Sequence, residues 1–464
     1  MLDHSARTGQ PATGHDGQTM DTTIRTRMTF LGRFALIGLL RYFGKWLLLA
    51  CAVAVLAGSA SALFLFLLQW ATATRVSNRW LIWLLPVAGF AVGWLYLRFG
   101  QSVEAGNNLL IDEIHDPRKI IPLRMVPLVL GGTVVSHLFG ASVGREGTAV
   151  QMGGALADQL TRLFGLHPGD RRIILMAGIS AGFASVFGTP LAGAIFGLEV
   201  LAIGRLRYDA LLPCLIAAIV ADQVGMLLGV QHLHYAIPFV PAVSAWTLSA
   251  MMIAGALFGL TGMVFADATH ALAAWMKKRL SYAPMRPFLG GLVVATTAWF
   301  LGADRYIGLG LPTIVAAFEQ PLPAYDFLAK MLFTVASLGS GFKGGEVTPL
   351  FYIGATLGNA LAPLLQLPIP LLAGVGFVAV FAGAANTPIA STLMAMELFG
   401  AEVGIFAALA CVVSYLFSGH TGIYRSQRIG DGKHQEAPED VRLGDLTAYR
   451  NDHPAPKSPD RDLR

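Results

Sequence analysis

The chain has 464 residues, 55% of them apolar and 13% charged, with 52 glycines and a formal net charge of +5. An apolar-plus-glycine share of about two thirds, against about half in soluble domains, excludes an ordinary soluble enzyme. Of the 61 Asp, Glu, Lys and Arg residues, 23 fall in 1–33 and 421–464, which leaves 38 for the 387 residues between. No basic face with interleaved aromatics occurs, so the positive charge points to membrane topology and not to nucleic acid.

In chain order, residues 1–28 are polar and read as an unstructured cytoplasmic arm. The first apolar run starts too late and runs too long for a cleavable signal peptide. Apolar runs follow at 46–70, 81–97, 211–230 and 245–265. Each approaches or exceeds the roughly 20 helical residues that cross roughly 30 Å of hydrocarbon. The alternation over about ten residues that marks a membrane barrel is absent. The expected class is therefore an all-α polytopic membrane protein, with the lipid bilayer as its surroundings. Arg25, Arg27 and Arg33 precede the first span, Lys277, Lys278 and Arg279 close the segment 245–275, and eight Lys and Arg lie in 421–464. The excess of basic residues in cytoplasmic segments then puts both termini and that turn in the cytoplasm.

Cys51, Cys214 and Cys411 sit in apolar runs and read as packing residues. No Cys/His spacing suits a metal, and no cofactor is expected. Neither GxSxG nor HExxH occurs, so nothing supports an intramembrane hydrolase or another enzyme.

The chain repeats itself. GREGTAVQMGGALAD (144–158) matches GGEVTPLFYIGATLGNA (344–360) at an offset of 200, pairing Gly144 with Gly344, Glu146 with Glu346, Gly154 with Gly354 and Ala155 with Ala355. At an offset of 198, Gly178, Ala181, Phe183, Ala184, Thr189, Pro190, Ala192 and Glu199 meet Gly376, Ala379, Phe381, Ala382, Thr387, Pro388, Ala390 and Glu397. The body then reads as a first half at 29–205, a connecting membrane helix and loop at 206–244, and a second half at 245–420, followed by a short tail at 421–464. Repeated halves with Gly-interrupted apolar segments point to a transporter whose site lies where broken helices meet near the bilayer midplane. Each glycine cluster ends where an apolar helix begins. Two helix N-termini converging there would attract an anion through unpaired N–H groups without any full cation.

These motifs resemble those of the CLC family of chloride channels and anion/proton antiporters: GREGTAVQMGG its GREGP motif, and KGGEVTP with the following GATLGNAL its GGxFxP motif. LAGAIFGLEVL (191–201) and GHTGIYRSQ (419–427) extend the likeness over about 34–428. The resemblance implies an inverted-repeat bundle of tilted and broken helices, and a homodimer with an independent pore in each subunit. It puts Glu146 in the place of the gating glutamate that competes with the anion and carries the proton. Gly144, Arg145 and Gly147 around it, and Val347 and Thr348 from the second half, would line the anion site, and Tyr424 would close its inner side.

Four departures from the family pattern stand out. An ungapped count back from Glu146 puts Ala105 at the place of the family's selectivity serine. Thr148 replaces the proline of GREGP. Glu346, Val347 and Thr348 replace Ile, Phe and Ala of GGIFAP. Val200 falls where chloride/proton exchangers carry an inner proton-transfer glutamate. Together these resemble the fluoride-specific branch, bacterial fluoride/proton antiporters of the inner or plasma membrane that export fluoride and confer resistance to it. Those proteins often carry methionine at the serine position, where this chain has Ala105. The alternative within the family is a chloride/proton exchanger or a passive chloride channel.

A carboxylate in hydrocarbon costs about 2.5–3.5 kcal/mol on insertion scales, so an in-membrane glutamate is a proton-carrying candidate by default. Glu146 at a helix start is otherwise a helix cap beside Arg145. Glu346 is either a second proton carrier, with the Thr348 hydroxyl beside it as an anion donor, or a structural carboxylate paired with Lys343. Asn107 and Asn108, after Gly106, either offer amide donors to the anion or cap a helix. Tyr424 either donates its O–H to the anion or belongs to an interfacial belt. Glu199 and Glu397 suit a structural role at the far ends of matching helices. Phe64, Phe66 and Phe351 read as lipid-facing or core, and Asp222, Asp267 and Lys330 are unassigned.

Overall fold

In hydrocarbon only a helix satisfies every backbone N–H and C=O within its own segment, so the charge-poor runs of Leu, Ala, Val and Phe fold as helices. A computed structural model describes residues 16–453 apart from 234 and 435–437, with side chains from Leu36 onward. The chain divides into two compact units, Met1–Leu48 and Leu49–Arg464. The first contains the opening part of a long helix, and the site described below lies in the second.

The helices are α1 (Asp16–Ser77), α2 (Leu85–Leu95), α3 (Asn107–His115), α4 (Met125–Phe139), α5 (Glu146–Phe164), α6 (Pro168–Phe187), α7 (Pro190–Glu199) and α8 (Leu211–Leu227). They continue as α9 (Ala245–Arg279), α10 (Met285–Phe300), α11 (Leu311–Glu319), α12 (Asp326–Ser340), α13 (Val347–Leu365), α14 (Ile369–Ala385), α15 (Pro388–Phe399), α16 (Gly404–Phe417) and a short α17 (Leu446–Asp452). Five described helical segments are long and apolar enough to cross a membrane. Others stop partway: α3 and α11 have nine residues each, about 14 Å at 1.5 Å per residue.

The repeat extends to helix lengths and to helix packing. Helices α3, α4 and α5 have 9, 15 and 19 residues, and so do α11, α12 and α13. α5 packs on α6, α6 on α7 and α8, and α7 on α8; α13, α14, α15 and α16 pack in the same pattern. A Cβ on Gly153 would lie 2.3 Å from the Gly178 carbonyl, and one on Gly354 2.0 Å from that of Gly376. The small residues shared by the two halves are thus where helix backbones touch. Thr189-Pro190 and Thr387-Pro388 start α7 and α15, with proline in the first turn where its missing N–H costs nothing.

Two observations bear on the segment boundaries. α8, in the stretch 206–244 read as a connecting helix and loop, packs on α6 and α7 as α16 packs on α14 and α15. The backbone is already helical at Asp16, inside the stretch 1–28 expected to be an unstructured arm, while residues 1–15 lie outside the described residues.

The tail returns to the bundle. Strand β1 (Ala202–Ile203) pairs in parallel with β2 (Arg428–Ile429), and Gln427 donates to the carbonyls of Val200 and Ala385 at 3.0 and 2.8 Å. Arg171 on α6 donates to Asp158 on α5 at 2.7 Å and to Glu113 on α3 at 2.9 Å. This ionic knot fixes the far end of the helix that begins at Asn107.

Candidate anion site between the halves

The loops that lead into α5 and α13 meet each other. Gly144 N–H donates to the Gly345 carbonyl at 2.6 Å, and Gly345 N–H donates back to the Gly144 carbonyl at 2.8 Å, in antiparallel pairing. A Cβ on Gly144 would lie 2.9 Å from that carbonyl, and one on Gly345 2.8 Å from Gly147 N, so only glycine allows this approach. An antiparallel contact between equivalent loops is what an inverted repeat requires. The first loop is also held to α12, since Ser142 N–H donates to Ser337 Oγ at 3.0 Å and Ser142 Oγ to the Tyr306 carbonyl at 2.9 Å. Buried Lys330 spends its ammonium on the carbonyls of Tyr306 and Gly308, at 3.0 and 2.7 Å.

Glu146, the first residue of α5, is 1% exposed. Its carboxylate does not cap its own helix. It crosses to the N-terminus of α13, where it accepts the Thr348 N–H at 3.0 Å and has the Thr348 Oγ 2.5 and 2.6 Å from its two oxygens. Arg145 adds its N–H at 3.2 Å and its Nε at 3.3 Å. One carboxylate thus occupies a set of donors suited to a small anion, at the positive end of a helix dipole. Val347 is buried at the first position of α13.

Glu346 does not mirror that arrangement. Lys343, its expected partner, turns to the Tyr96 ring with Nζ 4.1 Å from the centroid. The residue in α5 equivalent to Thr348 is Thr148, whose hydroxyl lies 2.7 Å from that of Thr133. Glu346 instead lies beside Gly147: a Cβ there would be 3.9 Å from Glu346 Oε2 and 3.0 Å from Asn107 Nδ2.

Asn107 thus lies beside Gly147 and Glu346, and its Oδ1 is buried with no hydrogen-bond partner. Asn108 has a different task, accepting the Ser426 N–H at 2.9 Å and so holding the loop that carries Tyr424. Ala105 is corrected: it is exposed, ahead of the turn at Gly106 (φ +59°), and Asn107 at the start of α3 is the residue that reaches Gly147. An ungapped count across the loop between α3 and α4 does not preserve register. Tyr424 is 4% exposed, with its ring edge-on to Phe196 at 6.4 Å. Its loop is tied down by Asn386, which donates to the Thr421 carbonyl at 3.0 Å.

On its other side Glu146 lines a cavity of about 20 Å³ with Arg145, Thr348, Phe351, Tyr235 and His232. A wide vestibule of about 1060 Å³ shares Arg145 and His232 with that cavity and adds Arg75, Arg79 and Arg305. Its cations outnumber its one carboxylate, Asp304, which pairs with Arg79 at 2.8 Å. Phe351 thus lines the site as well as the core, its ring stacked on Phe377 at 4.0 Å. Phe64 is buried core, and Phe66 is exposed and borders the vestibule. His232 and Tyr235 carry no sequence signal, because both lie in the irregular segment after α8.

A model of the voltage-gated chloride channel family matches residues 88–419, which include both glycine loops and all the helices that build the site. The chain belongs to this CLC family. It is 66% identical over 420 residues to the chloride/fluoride channel protein of Pseudomonas syringae pv. tomato, covering 89% of this chain and 93% of that one. A crystal structure of a CLC-type fluoride/proton antiporter is similar with a TM-score of 0.81 and 37% identity, covering 83% of this chain and 98% of that one. A slow cyanobacterial chloride/proton antiporter, at 21% identity and a TM-score of 0.70, shares the fold.

Within this CLC bundle the other repeated carboxylates do reciprocate. Glu199 at the end of α7 accepts the N–H groups of Ile389 and Ala390 at 3.0 and 2.8 Å. Glu397 on α15 accepts those of Leu191 and Ala192 at 2.9 and 2.8 Å. Each caps the start of the opposite helix, which fits the structural role expected of them. Val200 is buried, with its carbonyl taken by Gln427.

Proposed function

We propose that this protein is a fluoride/proton antiporter that exports fluoride from the cytoplasm of a bacterium, with Glu146 as the gating and proton-carrying carboxylate. The observation that carries the reading is the seat of Glu146 on the Thr348 N–H and O–H at the N-terminus of α13. An ionised carboxylate and a small anion compete for those donors. Protonation removes the charge that makes the hydrogen bonds strong, so the carboxyl leaves and the anion enters. Fluoride, the compact and strongly accepting conjugate base of a weak acid, suits a seat made of one N–H and one O–H. Asn107 supplies an amide on the Gly147 side, Glu346 is a second exchangeable proton within the same region, and Tyr424 closes the inner end with its phenol.

The names of the Pseudomonas syringae relative and of the fluoride/proton antiporter structure support fluoride as the anion. The basic vestibule then opens to the outside, both termini lie in the cytoplasm, and the protein acts as a homodimer in the inner or plasma membrane. The test is ion efflux from liposomes containing the purified protein, with fluoride and chloride compared and pH followed. Fluoride efflux with opposing proton movement is expected. Chloride efflux as fast as fluoride would return the protein to the chloride exchangers, and fluoride efflux without proton movement would make it a channel.

A further inference from the structure

A proton bound for Glu146 from the vestibule needs a carrier, and the structure offers one that the family motifs do not include. His232, in the segment after α8, packs its ring on Gly188, the residue that ends α6. A Cβ on Gly188 would lie 2.6 Å from His232 Cδ2, so glycine opens the slot that the imidazole fills. His232 Nε2 is 3.6 Å from Oδ1 of Asp222, a carboxylate on α8 that is 6% exposed. Gln223 donates to the other Asp222 oxygen at 3.3 Å.

The cavities explain why this pair matters. The cavity of about 20 Å³ beside Glu146 has room for about one water. Two charged or titratable side chains line both it and the vestibule among the described residues, Arg145 and His232. Arginine does not release its proton in proteins, whereas imidazole exchanges one between about pH 5 and 8. We propose that His232, with Asp222 as its counter-ion, is the outer proton relay to Glu146; this rests on the antiport reading above.

The step balances with protons alone. Neutral His232 takes a proton from vestibule water. The imidazolium gives a proton to the water in the small cavity as that water passes one of its own to the Glu146 carboxylate. Imidazole is left neutral and Glu146 uncharged, so its bonds to Thr348 weaken and the anion takes the seat. Asp222 from α8 and the C-terminal carbonyls of α6 favour the imidazolium. Arg145 before α5, and Arg75, Arg79 and Arg305 around the vestibule, oppose it, while the Glu397 carboxylate on α15 repels that of Asp222.

The test measures fluoride efflux and proton uptake together in liposomes holding wild type, His232→Gln or Asp222→Asn, with outer pH varied. His232→Gln is expected to slow both fluxes equally by roughly tenfold, short of the 10²–10⁴ of a complete general acid–base group because water still reaches the cavity. The variant should lose the wild-type dependence on outer pH, and imidazole added outside should restore its rate. Unchanged flux with an unchanged outer-pH profile would overturn the relay. So would a slow variant that keeps the wild-type pH profile and ignores imidazole, which is how a packing defect behaves. Fluoride binding by the purified variant reports whether it folds; Asp222→Asn, which alters no volume, carries the same test if it does not. Fluoride efflux without proton uptake in wild type removes the antiport reading and the relay together. Coupled wild type with indistinguishable variants removes the relay alone.

Discussion

The repeat delivers two pairs of carboxylates, and the two pairs have opposite fates. Glu199 and Glu397 exchange caps, each taking two N–H groups at the start of the other half's helix. Glu146 and Glu346 occupy equivalent positions, yet only Glu146 crosses over, while the hydroxyl of Thr148, which would receive Glu346, is turned to Thr133. A pair that keeps the symmetry has every oxygen satisfied and nothing left to exchange. A pair that breaks it leaves one carboxylate on the donors that start α13, the seat proposed for the anion, and the other without a hydrogen bond across to α5 among the described residues. Broken symmetry therefore supports the proposed site more sharply than the presence of an acid does.

The largest test of that contrast is Glu146→Gln, which keeps shape and removes the exchangeable proton. Proton counter-flux in liposomes should fall by at least about 100-fold, and coupling that survives would equate the two pairs. Thr348→Val comes next. It removes the hydroxyl from the seat and keeps the N–H, and since a hydrogen bond to a charged group is worth about 1.5–3 kcal/mol, calorimetry should find fluoride bound about tenfold or more weakly. Glu199→Ala addresses the symmetric pair: loss of a cap should cost about 2 kcal/mol in unfolding free energy, while the proton-to-fluoride ratio stays at the wild-type value. A changed ratio would give that pair a place in transport. The smallest effect is expected from Thr148→Val, which breaks the bond to Thr133 for about 1 kcal/mol and leaves anion preference unaltered.

Much of this was legible in residue identity because the constraint is steric. Gly144, Gly153, Gly178, Gly354 and Gly376 sit where backbones touch, and Thr189-Pro190 and Thr387-Pro388 start matched helices, so the repeat and the all-α membrane class could be read directly. Glu146 meets Thr348 across the two halves, and Gly147 lies against Gly345. Register across irregular segments was not legible: counting through the loop after α3 chose Ala105, where the turn at Gly106 brings Asn107 to the site. Nor could spacing reveal that Lys343 leaves Glu346 for an aromatic ring. His232 and Tyr235 were silent, since a loop residue's neighbours are set by tertiary placement and not by any period.

The paired glycines at 144 and 345 have a consequence for how transport can move. Two reciprocal hydrogen bonds rivet the halves together at the point where a rocking carrier would need its hinge to open. With the pivot fastened, the proposed antiport leaves the stroke to side chains: the carboxylate of Glu146 would swing out of its seat and the phenol of Tyr424 would yield at the other end. A machine of that kind has small moving parts and a fixed frame, so its turnover should depend little on bilayer thickness or stiffness, in contrast with carriers that tilt one half against the other.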